Sequence, residues 1–120
     1  MEECVFCKIV KGEAPAEIVQ VSKRSIVIVP LNPVVDGHVI VIPTEHVRDA
    51  YSNVWVTAMT ARNAAWFGYI MSRKDDRYLS ANLITSVGAP ATQTVQHLHI
   101  HVVPRAYGDG LLLPWSNQKK

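Results

Sequence analysis

The sequence predicts an α+β domain: a five-stranded antiparallel sheet carrying one long helix, with a short helix near the N-terminus. Three observations predict it. Apolar stretches of strand length recur between turns rich in Pro, Gly or charge. One segment, residues 53–74, is long enough for a helix of several turns and apolar on more than one side. One stretch near the C-terminus alternates strictly between His and aliphatic residues. With 120 residues, 48% hydrophobic and 18% charged, the chain suits a single globular domain over 1–120 and argues against disorder.

The elements follow in chain order. Residues 2–11 read as a short helix placing Cys4 and Cys7 one turn apart, with Gly12 as its stop. Ile18 to Val21 and Ser25 to Leu31 read as strands, turned by Ser22-Lys23-Arg24. Asn32-Pro33 ends the second. His38 to Ile42 is apolar after its first residue, and Pro43 closes it. Val47 to Tyr51 reads as a helical turn. Ser52 or Asn53 caps the long helix, which runs to Lys74. Its Trp55, Ala58, Met59, Ala65, Trp66, Tyr69 and Ile70 exceed one narrow stripe, so it should meet a second surface besides its own sheet. Asp75-Asp76-Arg77 is a polar turn, Tyr78 to Thr85 the fourth strand, Gly88 to Ala91 a loop and Gln93 to Val103 the fifth strand.

That fifth strand carries the chemistry. His97, His99 and His101 alternate with Leu98, Ile100 and Val102. On a strand the three imidazoles share one face, about 6.7 Å apart, and the aliphatics share the other. The chain has only five histidines. A solvated face ordinarily draws on Thr, Lys, Glu and Ser, so three at this spacing indicate a site. Imidazole is nucleophilic and titrates near neutrality.

Cys4 and Cys7 stand at CxxC spacing. A redox dithiol, a metal half-site and a buried pair without chemistry compete. The redox reading wants a thioredoxin-like βαβ context, which is missing. Two thiolates on one helical turn give half of a tetrahedral zinc site, and histidines must supply the rest.

The run His97-Leu98-His99-Ile100-His101-Val102-Val103 resembles the signature of the histidine triad (HIT) superfamily of nucleotide hydrolases and transferases. Gln93-Thr94-Val95, Pro104-Arg105, the stretch Cys4 to Ile9 with Gly12 to Pro15, and Gly37-His38-Val39 with Val41-Ile42-Pro43 are also similar to family positions. The resemblance covers nearly the whole chain. It implies a five-stranded sheet with a long helix, paired as a homodimer through that helix and an edge strand. It implies a hydrolase acting at the α-phosphate of a nucleoside phosphoramidate or dinucleoside polyphosphate, with a purine nucleotide, adenosine first, as substrate. His99 would form a nucleotidyl-histidine, His101 would assist the leaving group, and His38 would orient the triad or simply fill the core. Gln93, Thr94 and backbone N–H groups of the loop from Gly88 would meet the phosphate. The resemblance to a zinc-binding subclass implies a structural zinc on Cys4, Cys7, His46 and His97.

Two positions depart from the family pattern. Pro30 stands where an Asp or Asn commonly holds the ribose, and Asn32, beside Leu31, is the substitute contact. Thr92 stands where Gly is common, which bears on phosphate binding. The transferase branches usually carry Gln at the third triad position, so His101 favours hydrolysis. Pro30 keeps open a third role, a nucleotide- or partner-binding protein with vestigial activity.

A net charge of +2 without a Lys/Arg cluster argues against a nucleic-acid partner. No segment approaches ~18 uninterrupted apolar residues, so no membrane span is expected. Glu2 and Glu3 do not open a secretory signal, and a cytoplasmic protein is the expectation.

Overall fold

The computed structural model describes residues 4–112. The elements are α1 (Val5–Val10), β1 (Glu17–Val21), β2 (Ser25–Val29), β3 (Val39–Pro43), α2 (Val54–Ser72), β4 (Ala81–Ile84) and β5 (Ile100–Pro104). The strands form one antiparallel sheet in the order β1-β2-β3-β5-β4.

Alternation along the strands gives the sheet two buried faces. Val27, Val39, Val41, Ile100 and Val102 face α2 and pack with Ala64, Phe67 and Tyr78. Ile26, Ile28, Ile40 and Ile42 face the other way and pack with Phe6 and Ile9 of α1. His101 pairs with Ile40 across the β3–β5 ladder, so its imidazole lies on the α1 side. The short α1 covers only part of that side, which leaves the histidines at its edge.

Helix α2 begins at Asn53, whose side chain accepts the N–H groups of Trp55 and Val56. Val56, Thr60, Ala64 and Phe67 form its buried stripe. The Thr60 hydroxyl is satisfied by the Val56 carbonyl at 2.7 Å. Burying Phe67 contributes about 2–3 kcal/mol. The opposite side stays uncovered: Trp55 is 82% exposed and Trp66 59%. No described helix is long and apolar enough to cross a membrane.

Several element boundaries differ from expectation. The first helix spans Val5–Val10, and Glu2 and Glu3 lie outside the described residues. It ends as expected, with Gly12 at φ +76°. The second strand stops at Val29, two residues before Leu31. Val47 to Tyr51 is not helical; the Asp49 carboxylate takes the Tyr51 N–H and the Ser52 hydroxyl and holds a turn instead. Tyr78 belongs to a 3₁₀ turn, Asp76–Leu79, capped by Asp75, so the fourth strand begins only at Ala81. The fifth strand begins at Ile100, not Gln93. Residues 93–99 have no neighbouring strand: the Leu98 N–H bonds to the Val47 carbonyl at 2.8 Å, and the His97 ring is held by other groups.

Candidate active site and metal centre

His97 is fully buried. Its Nε2–H donates to the carbonyl of Pro43, the last residue of β3, at 2.9 Å. The proton therefore sits on Nε2 and the lone pair on Nδ1. That lone pair meets Cys4 Sγ at 3.3 Å, Cys7 Sγ at 3.5 Å and His46 Nδ1 at 3.1 Å, and His46 Nδ1 lies 3.2 Å from Cys7 Sγ. All four ligand atoms lie within 4.8 Å of one another. A tetrahedron with bonds of about 2.0–2.3 Å has edges of about 3.3–3.8 Å, so the spacing fits one cation at its centre. Burial and the neighbouring Cys4 push the Cys7 thiol up, and a cation would reverse that preference. These residues form a group able to hold a metal ion.

His99 takes its orientation from this cluster. Its Nδ1–H donates to the His97 carbonyl at 2.8 Å, so its lone pair is on Nε2. Phe6, between the two cysteines in sequence, stands edge-on to both rings, with centroids 5.8 Å from His97 and 5.1 Å from His99. The Thr85 hydroxyl donates to the His99 carbonyl at 2.9 Å where regular pairing has ended. The His99 and His101 rings tilt toward one another, with centroids 5.1 Å apart.

His101 is set from the other side. The Val34 N–H donates to His38 Nδ1 at 3.1 Å. A peptide N–H can only donate, so neutral His38 carries its proton on Nε2. That proton goes to His101 Nδ1, 2.9 Å away, and neutral His101 must then carry its own proton on Nε2. One ring thus offers a lone pair and its neighbour an N–H.

Burial favours the neutral rings. It is the main cause holding His38, His97, His99 and His101 below the ordinary histidine value, and His101 is pushed down to about 4, with His99 and His38 adding to the effect. An unfolded chain titrates its histidines near ~6.5 and so binds more protons than the folded one below that pH. Stability then rises with pH across this window and is lost as pH falls from about 6.5 toward 4. Thermal melts should show a midpoint that drops through this range. A midpoint flat from neutrality to about pH 4 would contradict the burial of neutral rings.

The structure brings together Cys4, Cys7, His46 and His97, and separately His38, His99 and His101. Gln93 is 6% exposed, but both its amide hydrogens go to the carbonyls of Arg48 and Val95, at 2.8 and 3.0 Å, while its oxygen accepts the Gly88 N–H. It clips the loop shut. The N–H groups of Gly88, Ala91, Thr92 and Gln93 are all used inside that loop. Thr92 sits at φ +74°, a left-handed conformation costly for a β-branched residue. Thr94 is exposed beside it. Leu31 is 98% exposed, and Asn32 is exposed on the loop leading to His38; neither is hydrogen-bonded to the histidines. A backbone carbonyl fixing the His99 tautomer is what a nucleophilic imidazole requires, whereas sequence reasoning missed Phe6 and Thr85. Of these only Phe6 carried a signal, its place inside CxxC.

A model of the HIT domain matches residues 11–108. The adenylylsulfatase HINT3 of Arabidopsis thaliana is 32% identical to this chain over 119 residues, covering 97% of the chain and 57% of that protein. The adenosine 5'-monophosphoramidase HNT1 of Saccharomyces cerevisiae is 31% identical over 121 residues, covering 97% and 72%. A zinc-bound histidine triad family protein from Mycobacterium smegmatis matches with a TM-score of 0.77 and 34% identity, over 91% of this chain and 79% of that one.

Proposed function

Because this chain belongs to the histidine triad (HIT) family, we propose that it hydrolyses a nucleotide at the α-phosphate through a covalent adduct on His99. The observation that carries this is the pairing of a free Nε2 lone pair on His99 with an Nε2–H on His101. Nε2 of His99 bonds to phosphorus as the bond from phosphorus to the leaving atom breaks. His99 keeps its Nδ1 proton and carries the positive charge against the His97 carbonyl. The leaving atom departs with its electron pair under the His101 hydrogen bond. A sulfate or phosphate leaves readily as its anion, whereas an amine nitrogen, a far poorer leaving group, leans hardest on the His101 N–H and departs only as it takes a proton from water. Water then attacks phosphorus, freeing the nucleoside monophosphate and one proton. Thr94, whose N–H is not used by the loop, and the Val95 N–H would meet the phosphate.

Adenosine is the proposed nucleoside, because the named activities of both relatives act on adenylyl compounds. An adenosine phosphoramidate and a dinucleoside polyphosphate are the proposed leaving-group classes. Cys4, Cys7, His46 and His97 would hold zinc. Closed by four protein ligands, it would fasten α1 to the sheet and the His97 carbonyl under His99, without touching substrate.

Mass spectrometry after rapid mixing with an adenosine phosphoramidate tests the reading. Expected is an added nucleoside monophosphate on His99. Binding without adduct or turnover would instead favour a nucleotide-binding role, to which the closed loop at Thr92 also points.

The uncovered side of α2 fits a homodimer. Trp55, Trp66, Tyr69 and Ile70 are exposed in the single chain, and a two-fold axis would bury them against themselves. Sedimentation at micromolar concentration should give twice the chain mass, and a stable monomer would overturn the dimer.

A further inference from the structure

Tyr78 is a core residue with a polar errand. Its ring is 6% exposed and packs edge-on to Phe67, at 5.9 Å between centroids. Its hydroxyl leaves the core and donates to the carbonyl of Gly37, the residue before His38. Gly37 sits at φ +90°, and a Cβ there would lie 3.0 Å from the Tyr78 oxygen and 3.2 Å from Pro104. The fit is thus specific to glycine on one side and a phenol on the other. The rest of this loop has little holding it: Leu31, Asn32, Pro33, Val34 and Asp36 are all exposed. Within it the His38 N–H bonds to the Val35 carbonyl at 3.2 Å, and the Val34 N–H reaches His38 Nδ1.

We propose that Tyr78 is a positioning residue: by holding the Gly37 carbonyl it keeps the Val34 N–H on His38, and thereby keeps the His101 proton on Nε2, facing the leaving group. This rests on the proposed roles of His99 and His101. With the tether gone, the loop can turn and the Val34 N–H can leave His38. His38 is then free to carry its proton on Nδ1 and to offer Nε2 as an acceptor. His101 responds by moving its proton to Nδ1, so its Nε2 shows a lone pair to the leaving atom. Each ring still holds one proton. What changes is that a hydrogen bond to the departing atom becomes a repulsion between lone pairs. Burial pushes the Tyr78 hydroxyl up, so it stays a donor throughout the neutral range.

Tyr78→Phe in the full chain tests this with two readouts. The first is kinetic. With an alkylamine phosphoramidate of adenosine, kcat should fall about 10–100-fold with KM little changed. With adenylyl sulfate, whose leaving group needs no proton, the loss should stay within roughly threefold. The second is ¹⁵N NMR of the histidine rings. The wild type should show His101 protonated on Nε2, and Tyr78→Phe should show the proton moved toward Nδ1. Val27→Ala, in the same core cluster but remote from Gly37, controls for lost stability and should slow both substrates alike, with His101 unchanged. Equal losses on both substrates with an unmoved His101 proton in Tyr78→Phe would overturn the proposal and leave Tyr78 a packing residue. Should Tyr78→Phe fail to fold, Gly37→Ala breaks the same contact from the loop side and is read in the same way. A wild type without turnover or adduct would sink the hydrolase reading, while the ring-proton measurement would still decide whether Tyr78 sets His101.

Discussion

His99→Ala is expected to lower kcat by about 10⁴-fold or more while KM stays nearly constant. The covalent route needs the Nε2 lone pair that the His97 carbonyl exposes by holding Nδ1–H, and no other described side chain offers one beside His101. In the proposed reaction, substrate affinity would come from nucleoside and phosphate contacts, which the substitution leaves in place. His101→Ala is expected to cost less, roughly 10²–10⁴-fold, because a hydrogen-bond donor and not the nucleophile is lost. Its deficit should shrink for leaving groups that depart without a proton. Steady-state rates of the two variants on a phosphoramidate and on adenylyl sulfate check both statements. Small, equal losses would mean that the rings do not form a nucleophilic site.

The second large effect concerns the metal. Protein purified without added metal should carry about one zinc per chain. Cys7→Ser should lose it, because the hydroxyl is a poor ligand and Cys7 Sγ touches both ligating imidazoles. A site occupied at 100–1,000 times its dissociation constant stabilises the fold by about 3–4 kcal/mol. For a chain of this size the melting temperature should fall by roughly 10–15 °C. Activity should fall only in part, since the Pro43 carbonyl still holds His97. Metal analysis beside a thermal melt decides it. A wild type that is metal-free and equally stable would end the zinc proposal.

Much of the architecture was legible because it rests on local pattern. The apolar runs at residues 25–29 and 39–43 became central strands, and Asn53 caps the long helix as its residue type suggests. The alternation of His97, His99 and His101 does put the imidazoles together on the side opposite the α2 core, although regular pairing begins only at Ile100. A His/aliphatic pattern reports which way side chains point, not whether a neighbouring strand is there to bond. The Cys4–Cys7 pair converges with His46 and His97, more than thirty residues away at the least, and nothing local announces that meeting. One partner of Gln93 is as distant in sequence. Its amide is consumed by a carbonyl at Arg48, 45 residues earlier, which composition around Gln93 does not reveal. Tyr78 looked like a strand residue because a buried aromatic suits both a strand and a 3₁₀ turn.

The directions of the ring protons are inherited from main-chain atoms: the Pro43 and His97 carbonyls and the Val34 amide. Side chains at such positions can drift without disturbing the proton map, so comparing sequences would pass over them as unremarkable. Position 34 shows the limit of that freedom. Its exposed valine can become almost any residue, yet proline, a mild exchange by size and polarity, removes the one hydrogen that tells His38 which way to face. A site arranged like this hides part of its chemistry in the atoms that every residue but one has in common.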